Sequence, residues 1–188
     1  MQAKTLTDKE VKIVLATIST NRHSARNRCM FLMSMWAGMR VAEIAALKMS
    51  DVVATDGMIK DEIRLEASQT KGNRGRTVLI GDKLKKELSE YAATIKHPDP
   101  DKPFYYSQRS RSGFSANSLA QHFGMLYQRA GIDGASSHSG RRSFLTRLSN
   151  KGVGVRVLMA LAGHRNMATT QRYLDLNEDM MKVAVNLI

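Results

Sequence analysis

The stretch His138–Tyr173, HSGRRSFLTRLSNKGVGVRVLMALAGHRNMATTQRY, decides how the chain is read. Ser139 to Leu148 and Val155 to Leu161 are helix-compatible runs, and Gly152, Gly154 and Gly163 punctuate them. Glycine readily takes the left-handed backbone conformation that closes a helix, so these positions predict short helices with sharp ends. The pattern extends upstream. Ser115 to Ala130 predicts a helix closed by Gly131, and Leu84, Leu88, Tyr91, Ala92 and Ile95 hold helical spacing until Pro98, Pro100 and Pro103 mark a loop. Downstream, a tail helix is expected from Asn177, with Met180, Val183, Ala184, Leu187 and Ile188 at near-helical spacing.

At the other end, Thr7-Asp8-Lys9-Glu10 has the form of a capping box, and Val11, Val14, Leu15 and Ile18 follow on one face, predicting a helix from about Asp8 to Ser19. A second helix is expected over Ala25 to Ala37, ended by Gly38, and a third from Arg40 to Lys48. Between Val52 and Ile80 the period changes. Ile59, Ile63, Leu65 and Ala67 alternate and Thr77 to Ile80 is β-prone, which predicts a small antiparallel sheet. Its turns fall at Thr55-Asp56-Gly57 and at a basic tip, Lys71-Gly72-Asn73-Arg74-Gly75. The expected fold class is therefore mainly α with a small antiparallel β-sheet (α+β), in one domain over residues 1–188 with a tail helix over residues 175–188.

A chain of 188 residues can bury about 70% of its unfolded surface, and 43% apolar content spread along the sequence excludes a disordered or collagen-like protein. Lys and Arg number 29 against 17 Asp and Glu, a formal charge of +12 with a pI near 10.1. From Arg129 to Arg172 there are seven Arg and one Lys but a single acid, Asp133. A block this basic repels itself unless an anionic partner lies against it, so nucleic acid is favoured over a merely solvated basic surface. No amphipathic segment sets the block opposite Trp, Phe and Leu, which disfavours a membrane surface. Cys29 is the only cysteine and sits among Met and Phe, which predicts a buried structural thiol and a reducing compartment. The opening MQAKTLTDKE has no apolar leader, and no run of about 18 apolar residues occurs, so a cytoplasmic protein is expected.

Attack on a phosphodiester gathers negative charge on the non-bridging oxygens, which planar guanidinium groups match with paired hydrogen bonds. Arg40, at a predicted helix start, and Arg141, three residues after His138, are candidates, although a lone Arg is ordinarily a solvated surface residue. His23, His97, His122, His138 and His164 fall into no metal-ligand spacing, which points to a side-chain nucleophile. A tyrosine hydroxyl, with an ordinary pKa of about 10, needs a base or cations nearby to attack at neutral pH. Tyr173 has Arg172 beside it and His164 nine residues upstream, whereas Tyr91 and Tyr127 read as core residues with satisfied hydroxyls. Lys71, on the hairpin tip, could protonate a departing oxygen, the plainer alternative being a turn lysine that meets solvent or phosphate.

The order of these fragments carries more than any one of them: GMR with Arg40, TKG with Lys71, HSGR with His138 and Arg141, AGH with His164, and TTQRY with Tyr173. From about Leu6 to Tyr173 the series resembles the catalytic domain of the tyrosine recombinases, the phage-integrase family. The resemblance implies that Arg40 and Arg141 bind the scissile phosphate and that Tyr173 forms a 3′-phosphotyrosyl link. It implies Lys71 as general acid, His138 as candidate proton acceptor, His164 as a hydrogen-bond partner of the phosphate and Glu43 as the acid that supports the site. No ATP, dissociable cofactor or metal is implied. The implied partners are double-stranded DNA, further copies of the chain in a tetramer on that DNA, and accessory DNA-bending proteins, and no membrane; the place of action would be the cytoplasm, at the nucleoid when DNA is bound. The family commonly shows H-x-L-R-H, where this chain has Gly140 and Arg142. Most relatives also carry a separate helical DNA-clamping domain ahead of the catalytic one, expected here to be absent or removed. HSARNRCMFLMSMWAGMRVAEI, residues 23–44, is similar to short forms found among fimbrial phase-switch invertases. A DNA-binding regulator without strand-cutting activity and a type IB topoisomerase are the competing functions.

Overall fold

The computed structural model describes residues 3–70, 74–108, 112–171, 173, 185 and 186. Helix α1 (Asp8–Ser19) starts at the expected capping box: Thr7 Oγ1 accepts the Glu10 N–H at 3.2 Å and Glu10 Oε2 accepts the Thr7 N–H at 2.8 Å. It buries Val11, Val14 and Ile18 against α2 (Ser24–Trp36). Every side chain from Cys29 to Met35 is buried, so the C-terminal half of α2 is enclosed on all sides and forms the axis of the core. Cys29 is fully buried beside the Tyr105 hydroxyl at 3.1 Å, as its surroundings in the sequence predict.

Gly38 turns the chain after α2 with φ +61°, and a Cβ placed on it would stand 2.5 Å from the Phe144 ring. Helix α3 (Val41–Ala45) is shorter than the expected Arg40–Lys48. Leu47 to Met49 instead pair with an extended segment: the Phe104 N–H donates to the Leu47 carbonyl at 2.8 Å and the Met49 N–H to the Lys102 carbonyl at 2.9 Å. A long-range ladder thus takes over the hydrogen bonds that would continue the helix. A single turn, α4 (Met49–Val52), follows.

Strands β1 (Glu62–Leu65) and β2 (Arg76–Leu79) form the antiparallel sheet, with Ile63 opposite Val78 and Leu65 opposite Arg76. Ile59, Ile63, Leu65, Val78 and Ile80 are buried, whereas Ala67 lies in a 3₁₀ turn, Ala67–Gln69, where the alternation stops. Below the basic tip, the Thr70 hydroxyl donates to the Arg74 carbonyl and accepts the Arg74 N–H at 3.2 Å. Lys71, Gly72 and Asn73 lie outside the described residues.

Helices α5 (Asp82–Ala92), α6 (Ala116–Arg129), α7 (Ser139–Asn150) and α8 (Val155–Ala162) fall within a few residues of expectation, and α5 and α7 both pack on α2. Tyr91 donates its hydroxyl proton to the Phe104 carbonyl at 3.0 Å. Tyr127 is also buried, but its hydroxyl has no partner among the described residues, contrary to the expectation of a satisfied group. A further turn of helix, α9 (Met167–Gln171), had no signal in the periodicity. The tail helix expected from Asn177 lies outside the described residues apart from 185 and 186. Among the described residues no helix is long and apolar enough to cross a membrane.

Candidate active site

Glu43 is the hub of the site. Arg40 caps α3 with an extended backbone, and its N–H donates to Glu43 Oε2 while its Nη1 donates to Glu43 Oε1, each at 2.8 Å. From β2, Arg76 donates through Nε to Oε1 at 3.0 Å and through Nη2 to Oε2 at 2.7 Å. Glu43 is wholly buried, and burial alone pushes its carboxyl pKa up; the hydrogen bond and charge of Arg76, with those of Arg40, outweigh this and hold it below the usual value. Arg76 also donates Nη1 to the Leu161 carbonyl at 3.0 Å, which ties the sheet to the end of α8.

Arg141 projects from α7 and is 4% exposed. It donates Nη1 to the Gly38 carbonyl and Nη2 to the Ala162 carbonyl, both at 2.5 Å, bridging the turn before α3 and the end of α8. Its Nη2 also lies 3.0 Å from His164 Nε2. Burial, reinforced by repulsion from Arg40 and Arg76, lowers its pKa to about 9, so it is still cationic at neutral pH. His164 follows Gly163, whose φ is +60° and where a Cβ would meet Arg76 Cδ at 2.6 Å. Burial first, then the charges of Arg141, Arg40 and Arg76, bring its pKa down to about 4, which leaves the ring neutral at pH 7.

Tyr173 stands next to this cluster. Its ring stacks on His164 with centroids 5.8 Å apart and planes 20° from parallel, and its N–H donates to the Thr170 carbonyl at 2.9 Å. On the same ring the Arg142 guanidinium carbon sits 5.6 Å from the centroid, and Arg142 Nε donates to Thr5 Oγ1 at 3.0 Å.

Arg40, Arg141, His164 and Tyr173, all singled out from sequence, are thus joined by one chain of contacts through Glu43, Arg76 and Gly38. His138 is exposed at the N-cap of α7, one turn before Arg141, and Lys71 is outside the described residues. Arg76, Arg142 and Thr170 were missed. For Arg76 a signal existed: it falls on the inward face of β2 in register with the buried Val78 and Ile80, where an isolated arginine demands a buried anion. Both departures from H-x-L-R-H have a structural reason. A Cβ on Gly140 would stand 2.6 Å from Ser34 Oγ, so α7 could not lie this close to α2 with leucine there, and Arg142 occupies the space against Tyr173.

Three guanidinium groups face one carboxylate, leaving two positive charges in excess beside a neutral imidazole and a phenol. Such an excess of positive charge suits an anion with several acceptor oxygens. Among the described residues no three His, Cys, Asp or Glu side chains gather as a metal-holding set.

A mostly helical domain with a two-stranded sheet and an arginine, histidine and tyrosine cluster of this order defines the tyrosine recombinase catalytic-domain class. Residues 4–180 match the phage integrase family, and the chain belongs to that family. It is 28% identical over 185 residues to tyrosine recombinase XerA of Pyrococcus furiosus, an alignment covering 97% of this chain and 60% of that protein. Its fold matches the crystal structure of XerA recombinase with a TM-score of 0.77 at 24% identity, over 100% of this chain and 65% of that one. It matches the catalytic domain of bacteriophage HP1 integrase with a TM-score of 0.71 at 21% identity, over 98% of this chain and 95% of that one. The chain spans 60% of the length of the Pyrococcus relative.

Proposed function

We propose that this chain is the catalytic unit of a site-specific DNA recombinase that cuts and rejoins strands by transesterification. The observation that carries the reading is the net-positive cluster of half-buried Arg40 and Arg76 with buried Arg141, with Tyr173 stacked on His164 at its edge. Arg40 and Arg141 hold the non-bridging oxygens of a phosphodiester: beside its bonds to the Gly38 and Ala162 carbonyls Arg141 has three further N–H donors, one of which rests on His164 until the phosphate arrives. The Tyr173 hydroxyl attacks phosphorus as His138 takes its proton. The bond from phosphorus to the 5′ oxygen breaks, Lys71 protonates that oxygen, and a 3′-phosphotyrosyl link remains. Attack by a 5′ hydroxyl on the link reverses every step, so joining consumes no nucleotide. A charge of +12 suits double-stranded DNA as substrate. Copies of the chain assemble as a tetramer on that DNA, with accessory DNA-bending proteins setting the geometry; the apolar residues Met180, Val183, Ala184, Leu187 and Ile188 are available either to a neighbouring copy or to the chain's own core.

The test is covalent capture from a random-sequence pool of nicked duplexes whose cut fragment diffuses away. The wild-type chain should give a band on a denaturing gel that survives boiling, and Tyr173→Phe should give none. DNA binding with no adduct from the wild type would instead identify a regulator, and relaxation of supercoiled plasmid without site preference a topoisomerase.

A further inference from the structure

We propose that Thr170 is a positioning residue whose hydroxyl lets His164 exchange one neutral tautomer for the other when the scissile phosphate arrives. The inference rests on the function proposed above. The imidazole makes two hydrogen bonds: Arg141 Nη2 lies 3.0 Å from Nε2, and Thr170 Oγ1 lies 3.0 Å from Nδ1. A guanidinium can only donate, so Nε2 presents its lone pair. The ring is neutral because burial and three nearby arginines oppose its charging, and its one proton is therefore on Nδ1, which donates to Thr170.

That tautomer is the wrong one for an incoming phosphate. A non-bridging oxygen only accepts, and an Nε2 lone pair aimed at it is repelled. As the Arg141 fork turns to the phosphate, the ring binds the same oxygen only with its proton on Nε2. Nδ1 must then accept a hydrogen bond. A carbonyl or carboxylate at position 170 would hold the proton on Nδ1, whereas a hydroxyl carries both a donor and acceptor lone pairs and reverses its role by rotating. The proton count on the ring does not change: as the half-buried ring swings off Thr170, Nδ1 releases one proton to water, and Nε2 takes one from water before the ring settles back. Thr170 has no exposed surface, so no other solvent-borne donor replaces its hydroxyl at Nδ1 without displacing it. Its carbonyl meanwhile accepts the Tyr173 N–H at 2.9 Å, so the residue that sets the imidazole also holds the nucleophile's backbone.

A threonine that serves only to pack the interior would show none of this, and two measurements separate the cases. The first is ring ¹⁵N NMR of the full chain labelled at histidine, with His164 assigned through His164→Gln. The free protein should carry the proton on Nδ1, and Tyr173→Phe bound to a duplex captured from the pool should carry it on Nε2. The second is single-turnover cleavage of that duplex. Thr170→Val keeps the shape without the hydroxyl and should slow cleavage about tenfold with DNA affinity unchanged, the size expected for one lost hydrogen bond in a buried site. Thr170→Ser should restore most of the rate. A free protein protonated at Nε2, wild-type cleavage by Thr170→Val, or equal loss in the Ser and Val variants overturns the inference. If the wild type captures no duplex at all, the proposed function fails, and the NMR of the free protein still decides the tautomer.

Discussion

Glu43 and Arg76, which are 33 positions apart in sequence, meet as a two-pronged ion pair at 3.0 and 2.7 Å around a carboxylate with no exposed surface. The pair joins three elements that approach the site from different directions. Through Glu43 it reaches the Arg40 cap of α3, through its own strand it reaches β1, and through the Leu161 carbonyl it reaches the turn before His164.

Removing that carboxylate should cost more than removing any exposed ion pair. Glu43→Gln leaves Arg76 and Arg40 without their counter-charge, and breaking a buried pair from one side costs about 3–5 kcal/mol. Urea unfolding should show a loss of this size, and adding Arg76→Met should cost less than the sum of the two single changes. A loss below about 1 kcal/mol, in the range of surface pairs, would contradict the assignment of Glu43 as the hub.

Two glycines set how closely the site is packed. Gly38→Ala puts a Cβ 2.5 Å from the Phe144 ring at φ +61°, and Gly163→Ala puts one 2.6 Å from Arg76 Cδ at φ +60°. Overpacking and left-handed strain together should destabilise each variant by about 2–4 kcal/mol. Phe144→Ala should recover part of the loss in the Gly38→Ala background and none in the Gly163→Ala background. Equal recovery in both would show that the two clashes are not separate.

Acid should weaken the fold before carboxylates titrate. Burial, then Arg26 and Arg129, lower His122 to about 4, and His164 is lowered to about 4 as well, against an ordinary histidine value of 6.5. Below 6.5 the unfolded chain binds protons that the folded chain refuses, so stability is complete above that pH and falls as pH drops toward 4. Glu43, also depressed, adds a further loss on continued acidification below its ordinary 4.5. Melting temperatures from pH 7.5 to 4.5 should trace the decline, and His122→Leu should flatten it. An unchanged slope in that variant would remove His122 from the account.

Affinity for DNA should fall steeply with salt. Each phosphate neutralised contributes about 0.9 to the slope of log affinity against log salt, and Arg40→Ala should lower the slope by about one. A flat response in the wild type would refute the electrostatic account of binding.

The parts of the fold written in local chemistry were legible before the structure. The Thr7 and Glu10 capping box placed α1, and the alternation around Ile63 and Leu65 placed the sheet. Where long-range pairing overrides local preference the sequence misled: Leu47 and Met49 hydrogen-bond to residues 102–104, and α3 ends early. In the site, residues with chemically distinctive neighbours stood out, as His164 and Tyr173 did. Thr170 did not, because its role is set by a partner that only the fold brings near, and Arg76 was legible only as an inward-facing strand arginine whose anion, Glu43, the sequence does not identify. Gly140 and Arg142 looked like departures and are accommodated by Ser34 and Tyr173.

Strand exchange as proposed requires a covalent bond between the Tyr173 oxygen and a DNA 3′ phosphate. Trapped adduct, digested with nuclease and protease and sequenced by mass spectrometry, should yield a nucleotide attached to the peptide that contains Tyr173 and to no other. A nucleotide found on a serine, a histidine or another tyrosine would contradict the account.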